Sequence, residues 1–550
     1  MSKRFAGFLA SIGGVILGLL LLASQSVFAA DASKEWKYTV ADGDTLIGLT
    51  ETLLKPPATW SKLQRINQIA DPLHLKPGST LRIPTDWLRG DATVAELIHM
   101  QGSVQVQRGG NLLSGLAVGA NLRAGDQIRT GAQSTLTLKF IDGSRLLVSP
   151  DSKLSIESLL IFGKTRMTET RLQVEAGGID SHVAQQQGTA SRYEVRTPSL
   201  NLGVRGTDFQ VRVDAQNQVS RSEVLEGRVA AQGANAQVLV NAGFGTVSGA
   251  GGEPQAPRPL LGAPELRGIS QKLERVPLRF AWEPVKGAKA YRAQVFADRS
   301  LDQLLLDSVF AQPGARWQDL PDGSYVLRVR SVDDAGLEGL TTLMDFVLKA
   351  RPEPPFTSLP AEGGKVYGDS AQFKWTVSSK AERYRLQVSD SADFKQLRLD
   401  KKDLSNSEFT LALAPGNYFW RIASIARGDD QGPFSDTLGF IQRKIPESPA
   451  LEAPSVGEKE LSFRWKAREP GQTFQYQMAA DAEFKTVLID KAITEPVVVL
   501  AKPEPGVYYL RVKTIDADGF AGPFGAAQQF EIKGTPWWNY LPLVLLLLIH

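Results

Sequence analysis

The chain has 550 residues, too many for one hydrophobic core, so several domains are expected. Hydrophobic residues make up 42% and charged residues 22%, a globular balance that confines disorder to short linkers. There is no cysteine, which excludes a disulfide scaffold, a thiolate metal site, a cysteine nucleophile and a lipid anchor on an N-terminal cysteine; the net charge of +3, which falls to +1 without Lys3 and Arg4, gives no electrostatic case for nucleic acid.

Lys3 and Arg4 open the chain, residues 5–23 are almost wholly apolar, and Val27-Phe28-Ala29 fits a small-x-small cleavage site. This pattern predicts a secretory signal peptide over residues 1–29 and an exported protein of the periplasm or cell envelope. An uncleaved N-terminal membrane anchor is the alternative that the residues leave open.

Residues 36–88 are the most informative stretch. Trp36 to Val40 alternates like a short strand, and Asp42-Gly43-Asp44-Thr45 is a turn able to cap a helix. Leu46, Leu49 and Leu53 follow at helical spacing, and Trp60, Leu63, Ile66 and Asn67 predict a second helix. Pro56 and Pro57 predict a rigid loop between the helices. After the turn at Pro77-Gly78, Thr80-Leu81-Arg82-Ile83-Pro84 reads as a closing strand, giving the order βααβ.

These blocks resemble a LysM domain, a carbohydrate-binding module. The matching residues are Tyr38-Thr39-Val40, Gly43-Asp44-Thr45-Leu46, Asn67, and Leu75 through Pro84. The resemblance implies binding of N-acetylglucosamine units of peptidoglycan or chitin. The implied groove has Gly43, Asp44, Thr45 and Leu46 on one side and Ile69, Ala70, Asp71 and Leu73 on the other. Backbone groups of tight turns would bond the acetamido group, and small apolar side chains would pack its methyl and the sugar face.

Residues 97–248 show strand alternation and turn glycines, with no helical run of any length, so an all-β domain is expected. The residues resemble a FecR-type domain: Leu122 with Gly125-Asp126-Gln127-Ile128-Arg129-Thr130-Gly131, Phe140 with Asp142-Gly143-Ser144, Thr197-Pro198, Gly203-Val204-Arg205-Gly206-Thr207-Asp208-Phe209, and Val224 through Val229. In its founding context that family relays a periplasmic signal through a membrane helix to a segment controlling a sigma factor. Only four residues precede the apolar stretch here, so no such cytoplasmic segment is expected. What the resemblance implies is an exported sensing or docking domain with an envelope or membrane protein as partner. Arg205, between a valine and a glycine, is expected to be a structural arginine bonding a buried carboxylate or carbonyl.

Residues 265–533 repeat with a period near 90. Trp282, Trp375 and Trp465 correspond. At fixed offsets follow an aromatic (Tyr291, Tyr384, Phe474), a glutamine (Gln294, Gln387, Gln477), a tyrosine (Tyr325, Tyr418, Tyr508) and an arginine (Arg328, Arg421, Arg511). The length and turn spacing predict sandwiches, with the Trp in the core and the Tyr bonding a nearby turn. The units resemble fibronectin type III or immunoglobulin-like domains. The alternative for the aromatics is a sugar-stacking platform. Proline-rich joints at 352–355 and 446–449 predict semi-rigid spacers.

Trp537-Trp538-Asn539-Tyr540 before an apolar run to Ile549 predicts membrane contact through 537–549, although a helix there would span only about 20 Å of a core of about 30 Å. A truncated anchor or a packed hydrophobic end remains the alternative. Four histidines, at 74, 99, 182 and 550, lie at no metal-ligand spacing, and there is no nucleophile elbow or phosphate loop. No catalytic residue, metal site or cofactor is expected.

The expected fold class is therefore multidomain and mainly β. A signal peptide occupies 1–29, a small βααβ LysM-like domain 36–88, and an all-β FecR-like domain 97–248. A linker at 249–264 leads to three β-sandwich repeats at 265–350, 356–444 and 450–533, then a hydrophobic tail at 537–550. The expected role is a non-catalytic, peptidoglycan-binding envelope protein. The alternatives are a periplasmic signalling component acting through a membrane sensor and a murein-processing enzyme.

Overall fold

A computed structural model describes residues 35–163, 167–185, 191–249 and 252–534. The expected signal peptide and apolar tail lie outside the described residues, among which no helix is long and apolar enough to cross a membrane. The fold is mainly β and multidomain, and the chain divides into two compact units, Met1–Ala350 and Arg351–His550.

The first unit opens with β1 (Glu35–Thr39), α1 (Leu46–Leu53), α2 (Trp60–Asn67) and β2 (Thr80–Pro84), with β1 and β2 antiparallel. Both helices start where a threonine side chain accepts a first-turn N–H: Thr45 from Gly48 at 3.0 Å and Thr59 from Lys62 at 3.4 Å. Leu46, Leu49, Leu53 and Leu63 turn inward onto Leu81 and Ile83. In so short a module the core is small, and Phe162 and Met167, from the tip of a long hairpin of the next domain, add to it.

That next domain runs from Asp91 to Pro259 as a closed barrel of short strands. Two sheets share its longest strand, Thr168–His182. The first part of this strand pairs with Lys153–Ile161, and from Gly177 onward it pairs with Asp208–Val213. Gly177 sits at the crossover with φ +79°, and a Cβ there would lie 2.5 Å from the Ser152 Cα, so only glycine fits. The aspartate of the Gly125-Asp126 turn is fully buried and holds Arg108 through both oxygens, at 2.6 and 2.7 Å. Arg205, in contrast, is exposed; its carbonyl, at 3.3 Å from the Thr207 hydroxyl, accepts the hydrogen bond that holds this turn.

The stretch expected as a linker, 249–264, makes contacts to both neighbouring domains. Arg258–Pro259 is the last barrel strand, and the Leu261 carbonyl accepts the Leu340 N–H at 2.8 Å. The first sandwich follows, and its strand Gly323–Val332 faces the barrel through a buried ionic cluster. Arg212 and Arg330 both reach Glu338, at 2.6 and 3.0 Å, while Arg328 and Arg330 reach Asp180. Burial pushes the Asp180 carboxyl up, but Arg328, Arg330, Arg212 and Arg292 outweigh it and hold the group well below the usual carboxylate range. Glu338 is likewise opposed by burial yet held at about 2 by Arg212, Arg292 and Arg330. Burial dominates at Glu223, beside them, and raises it to about 7.

The second unit holds two further sandwiches, built around the sheets containing Gly416–Ala426 and Gly506–Ile515. At their joint Tyr367 stacks on Phe520 with centroids 3.8 Å apart, and its hydroxyl donates to Asp516 and Asp518. In all three sandwiches the Trp is buried edge-on against its aromatic partner, at 5.7, 5.6 and 5.4 Å, which removes the stacking-platform alternative. Tyr325, Tyr418 and Tyr508 each donate to the carbonyl four residues back, at 2.7, 3.0 and 2.9 Å.

Candidate binding cleft

The turn before α1 and the loop after α2 meet through one backbone bond, the Leu46 N–H donating to the Pro72 carbonyl at 2.9 Å. This brings the segment 43–46 against the segment 69–73. Gly43 is exposed at φ +82°, a conformation that needs glycine in this turn. Asp44 and Thr45 are half-buried, and Ala70, Asp71 and Leu73 are exposed, Leu73 at 54%.

Two of the expected residues serve differently from what the sequence implied. Leu46 is fully buried and its N–H is taken by Pro72, so it forms the wall and offers no side chain to the cleft. Ile69 is partly buried against the core, its N–H donates to the Gln64 carbonyl at 3.1 Å, and its carbonyl accepts from the Gln64 amide at 2.9 Å. Its backbone is thus committed to holding the loop.

The two carboxylates shape turns. Asp44 accepts from the Tyr38 hydroxyl at 2.6 Å and the Ala41 N–H at 2.7 Å. Burial and this carboxylate raise the Tyr38 phenol to about 12, so it stays a donor throughout the ordinary pH range. Asp71 accepts from the Leu73 N–H at 2.8 Å and lies 2.9 Å from the His74 ring. The Leu73 N–H, with His74 second, lowers the Asp71 carboxyl below its ordinary range. A general acid needs the opposite shift.

Asn67 acts as a fork. Its Oδ1 accepts the Arg82 N–H at 2.6 Å, and its Nδ2 donates to the carbonyls of Arg82 and Leu63 at 2.8 and 3.0 Å. It thereby fixes the end of α2 on β2, and Gln68 leaves the helix in the left-handed conformation at φ 53°. Asn67 stood in the motif without a role, whereas Gln64 and Tyr38 act through side chains whose partners lie across turns that spacing does not reveal.

Residues 38–84 match the family model described as LysM domain, and residues 126–230 match the one described as FecR protein. These are a carbohydrate-binding and a signalling-related type of domain, both non-catalytic. No curated protein matches the chain. Among solved structures, a protein described as an anti-sigma factor from Parabacteroides distasonis is 14% identical over 24% of this chain and 59% of that one, with a TM-score of 0.21. A second crystal structure of that protein gives 15%, the same coverage and 0.21. The chain thus spans about three fifths of that protein's length. The FN1–FN3 domains of chicken CNTN1 are 17% identical over 50% of this chain and 99% of that one, with a TM-score of 0.23.

Proposed function

We propose that this is a non-catalytic peptidoglycan-binding protein of the cell envelope, exported by its N-terminal segment and tethered or contacting a membrane through 537–549. The N-terminal module holds an N-acetylglucosamine-containing glycan between Gly43, Asp44, Thr45 and Ala70, Asp71, Leu73. The observation that carries this reading is the match to the LysM model over residues 38–84, supported by the Leu46–Pro72 bond that brings the two segments side by side. The sugar is gripped by turn backbone, the Leu73 side chain packs its apolar face, and the carboxylates keep the turns in shape. A single shallow cleft makes this binding weak, because few groups are desolvated.

The barrel domain senses or docks an envelope or membrane protein, and the FecR match over residues 126–230 supports that role. The sandwiches, fibronectin type III-like in their tyrosine and tryptophan positions, act as spacers or adhesion surfaces.

The test is co-sedimentation of the full-length protein with purified peptidoglycan. Leu73→Ala and Ala70→Trp alter exposed cleft positions and should reduce the bound fraction while leaving the thermal midpoint unchanged. Equal sedimentation of both variants and the parent chain would refute the cleft assignment. Point variants are preferable to deleting 36–88, which would strip the cover from Phe162 and Met167.

A further inference from the structure

A cleft of about 640 Å³ opens where the barrel meets the first sandwich, within the size range of small-molecule sites. Its barrel wall is two rows of one sheet. In the deep row Leu147, Asp180 and Gln210 are neighbours across three strands. In the outer row Arg145, His182, Asp208 and Glu226 are neighbours across four. The sandwich closes the deep end with Arg328 and Arg330, and Leu340 and Leu343 supply an apolar side.

The deep end holds a polar group in need of a partner. Gln210 is 1% exposed; its Oε1 accepts from Arg212 at 3.3 Å, and its Nε2 has no partner among the described residues. A buried donor left so costs about 1–3 kcal/mol, and an acceptor on a bound molecule would remove that cost. Charge is also graded along the cleft. At the deep end four guanidiniums, those of Arg212, Arg292, Arg328 and Arg330, meet the carboxylates of Asp180, Asp307 and Glu338, with Glu223 buried beside them. At the mouth Arg145 is paired with Asp302, Arg299 with Asp345 and His182 with Asp208, while Glu226 is exposed and makes no ion pair among the described residues. The deep end therefore presents the guanidiniums of Arg328 and Arg330 to the cleft, and the mouth an exposed carboxylate.

We infer that this cleft binds a small zwitterion, a free amino acid or short peptide, with its carboxylate at Gln210 and Arg328 and its ammonium group at Asp208 and Glu226. The carboxylate supplies the acceptor that the Gln210 amide lacks, and the ammonium group meets the unpaired acid at the mouth. The site is separate from the glycan cleft and does not depend on it.

The experiment is isothermal titration of the full-length protein with alanine, glutamate, lysine, phenylalanine and alanyl-alanine, and with the N-acetylated and C-amidated form of each ligand that binds. At least one free zwitterion should bind, and acetylation or amidation should each weaken it about tenfold or more, the loss of roughly one charged contact. Glu226→Ala should weaken binding with an unchanged thermal midpoint, because the side chain is exposed, and Gln210→Leu should weaken it whatever its effect on stability. Leu73→Ala in the glycan cleft should leave it intact. Absence of heat with all five probes, or equal binding of the acetylated and amidated forms, would overturn the assignment.

Discussion

Truncating Phe162 to alanine should melt the N-terminal module while leaving the barrel folded. Phe162 belongs to the barrel hairpin, yet its ring is 9% exposed among Leu53, Leu54 and Leu88 of the small domain. A buried phenylalanine removes about 150–250 Å² from water, which at about 25 cal/mol per Å² is about 4–6 kcal/mol. The exposed edge lets water refill part of the gap, so the observed loss should be about 3 kcal/mol, the lower end for a Phe→Ala change. A module of some fifty residues has only about 3–7 kcal/mol of stability at typical values per residue. Native-state hydrogen exchange on the full-length protein resolves this, because local opening is read residue by residue. The α1 amides of Leu49 and Leu53 should lose about a hundredfold of protection, since each 1.4 kcal/mol is a factor of ten. Barrel amides such as those of Val195 and Val211 should be little changed. If the α1 amides keep their protection, the module is stable without the hairpin and the shared-core argument fails.

At the barrel–sandwich joint, Asp180→Asn should destabilise the first unit by about 3–5 kcal/mol, because it leaves two buried guanidiniums short of a counter-charge; urea unfolding measures it. Asp490→Asn, on an exposed strand of the third sandwich, should change the same assay by less than about 1 kcal/mol. The pH profile of thermal unfolding should show two opposed limbs. Glu223, raised to about 7 in the folded state, contributes stability that is complete below its ordinary value of 4.5 and lost as pH rises toward 7. Glu338, lowered to about 2, contributes stability present above 4.5 and lost as pH falls toward 2. Glu223→Gln should flatten the first limb alone, and unchanged limbs in that variant would contradict the assignment. Tyr418→Phe should cost about 1 kcal/mol of second-sandwich stability, the value of its bond to the Ala414 carbonyl, with glycan sedimentation unaffected.

The features legible in the sequence are those set by local chemistry or by short-range periodicity. The turn ending at Thr45 announces a helix start because an N-cap needs only its own first turn. The alternation of residues 208–213 marks a strand whatever it pairs with. The buried Trp and bonded Tyr of each repeat were readable because three copies preserve the same offsets. The shared core at Phe162 was not, because nothing in the hairpin tip distinguishes a phenylalanine that covers a neighbouring domain from one that fills its own. The cleft could be placed by resemblance, but the burial of Leu46 and the commitment of Ile69 to Gln64 depend on which way a turn closes. The arginines that bond the carboxylates of Asp180 and Glu338 sit in ordinary strands, where no local motif marks them.

The repeat arginines show why such roles escape sequence. Gln294, Gln387 and Gln477 each accept from the arginine 34 residues on, at 2.9 Å, so one local network recurs three times. Leu301, Phe394 and Phe484 also correspond, each in the left-handed conformation at φ 55–58°. In the second and third sandwiches the phenylalanine covers the guanidinium, with Arg421 and Arg511 both 3.9 Å from the ring centroid. In the first, leucine stands at that position and Arg328, 4% exposed, reaches Asp180 of the barrel. Here the guanidinium lies over the Phe296 ring instead, 4.6 Å from its centroid, and Asp180 supplies a countercharge that a phenylalanine at 301 would crowd. Converting Leu301 to phenylalanine should therefore weaken the barrel–sandwich joint without disturbing the sandwich itself. The joint's cleft, which Leu301 lines, should bind its zwitterion less well.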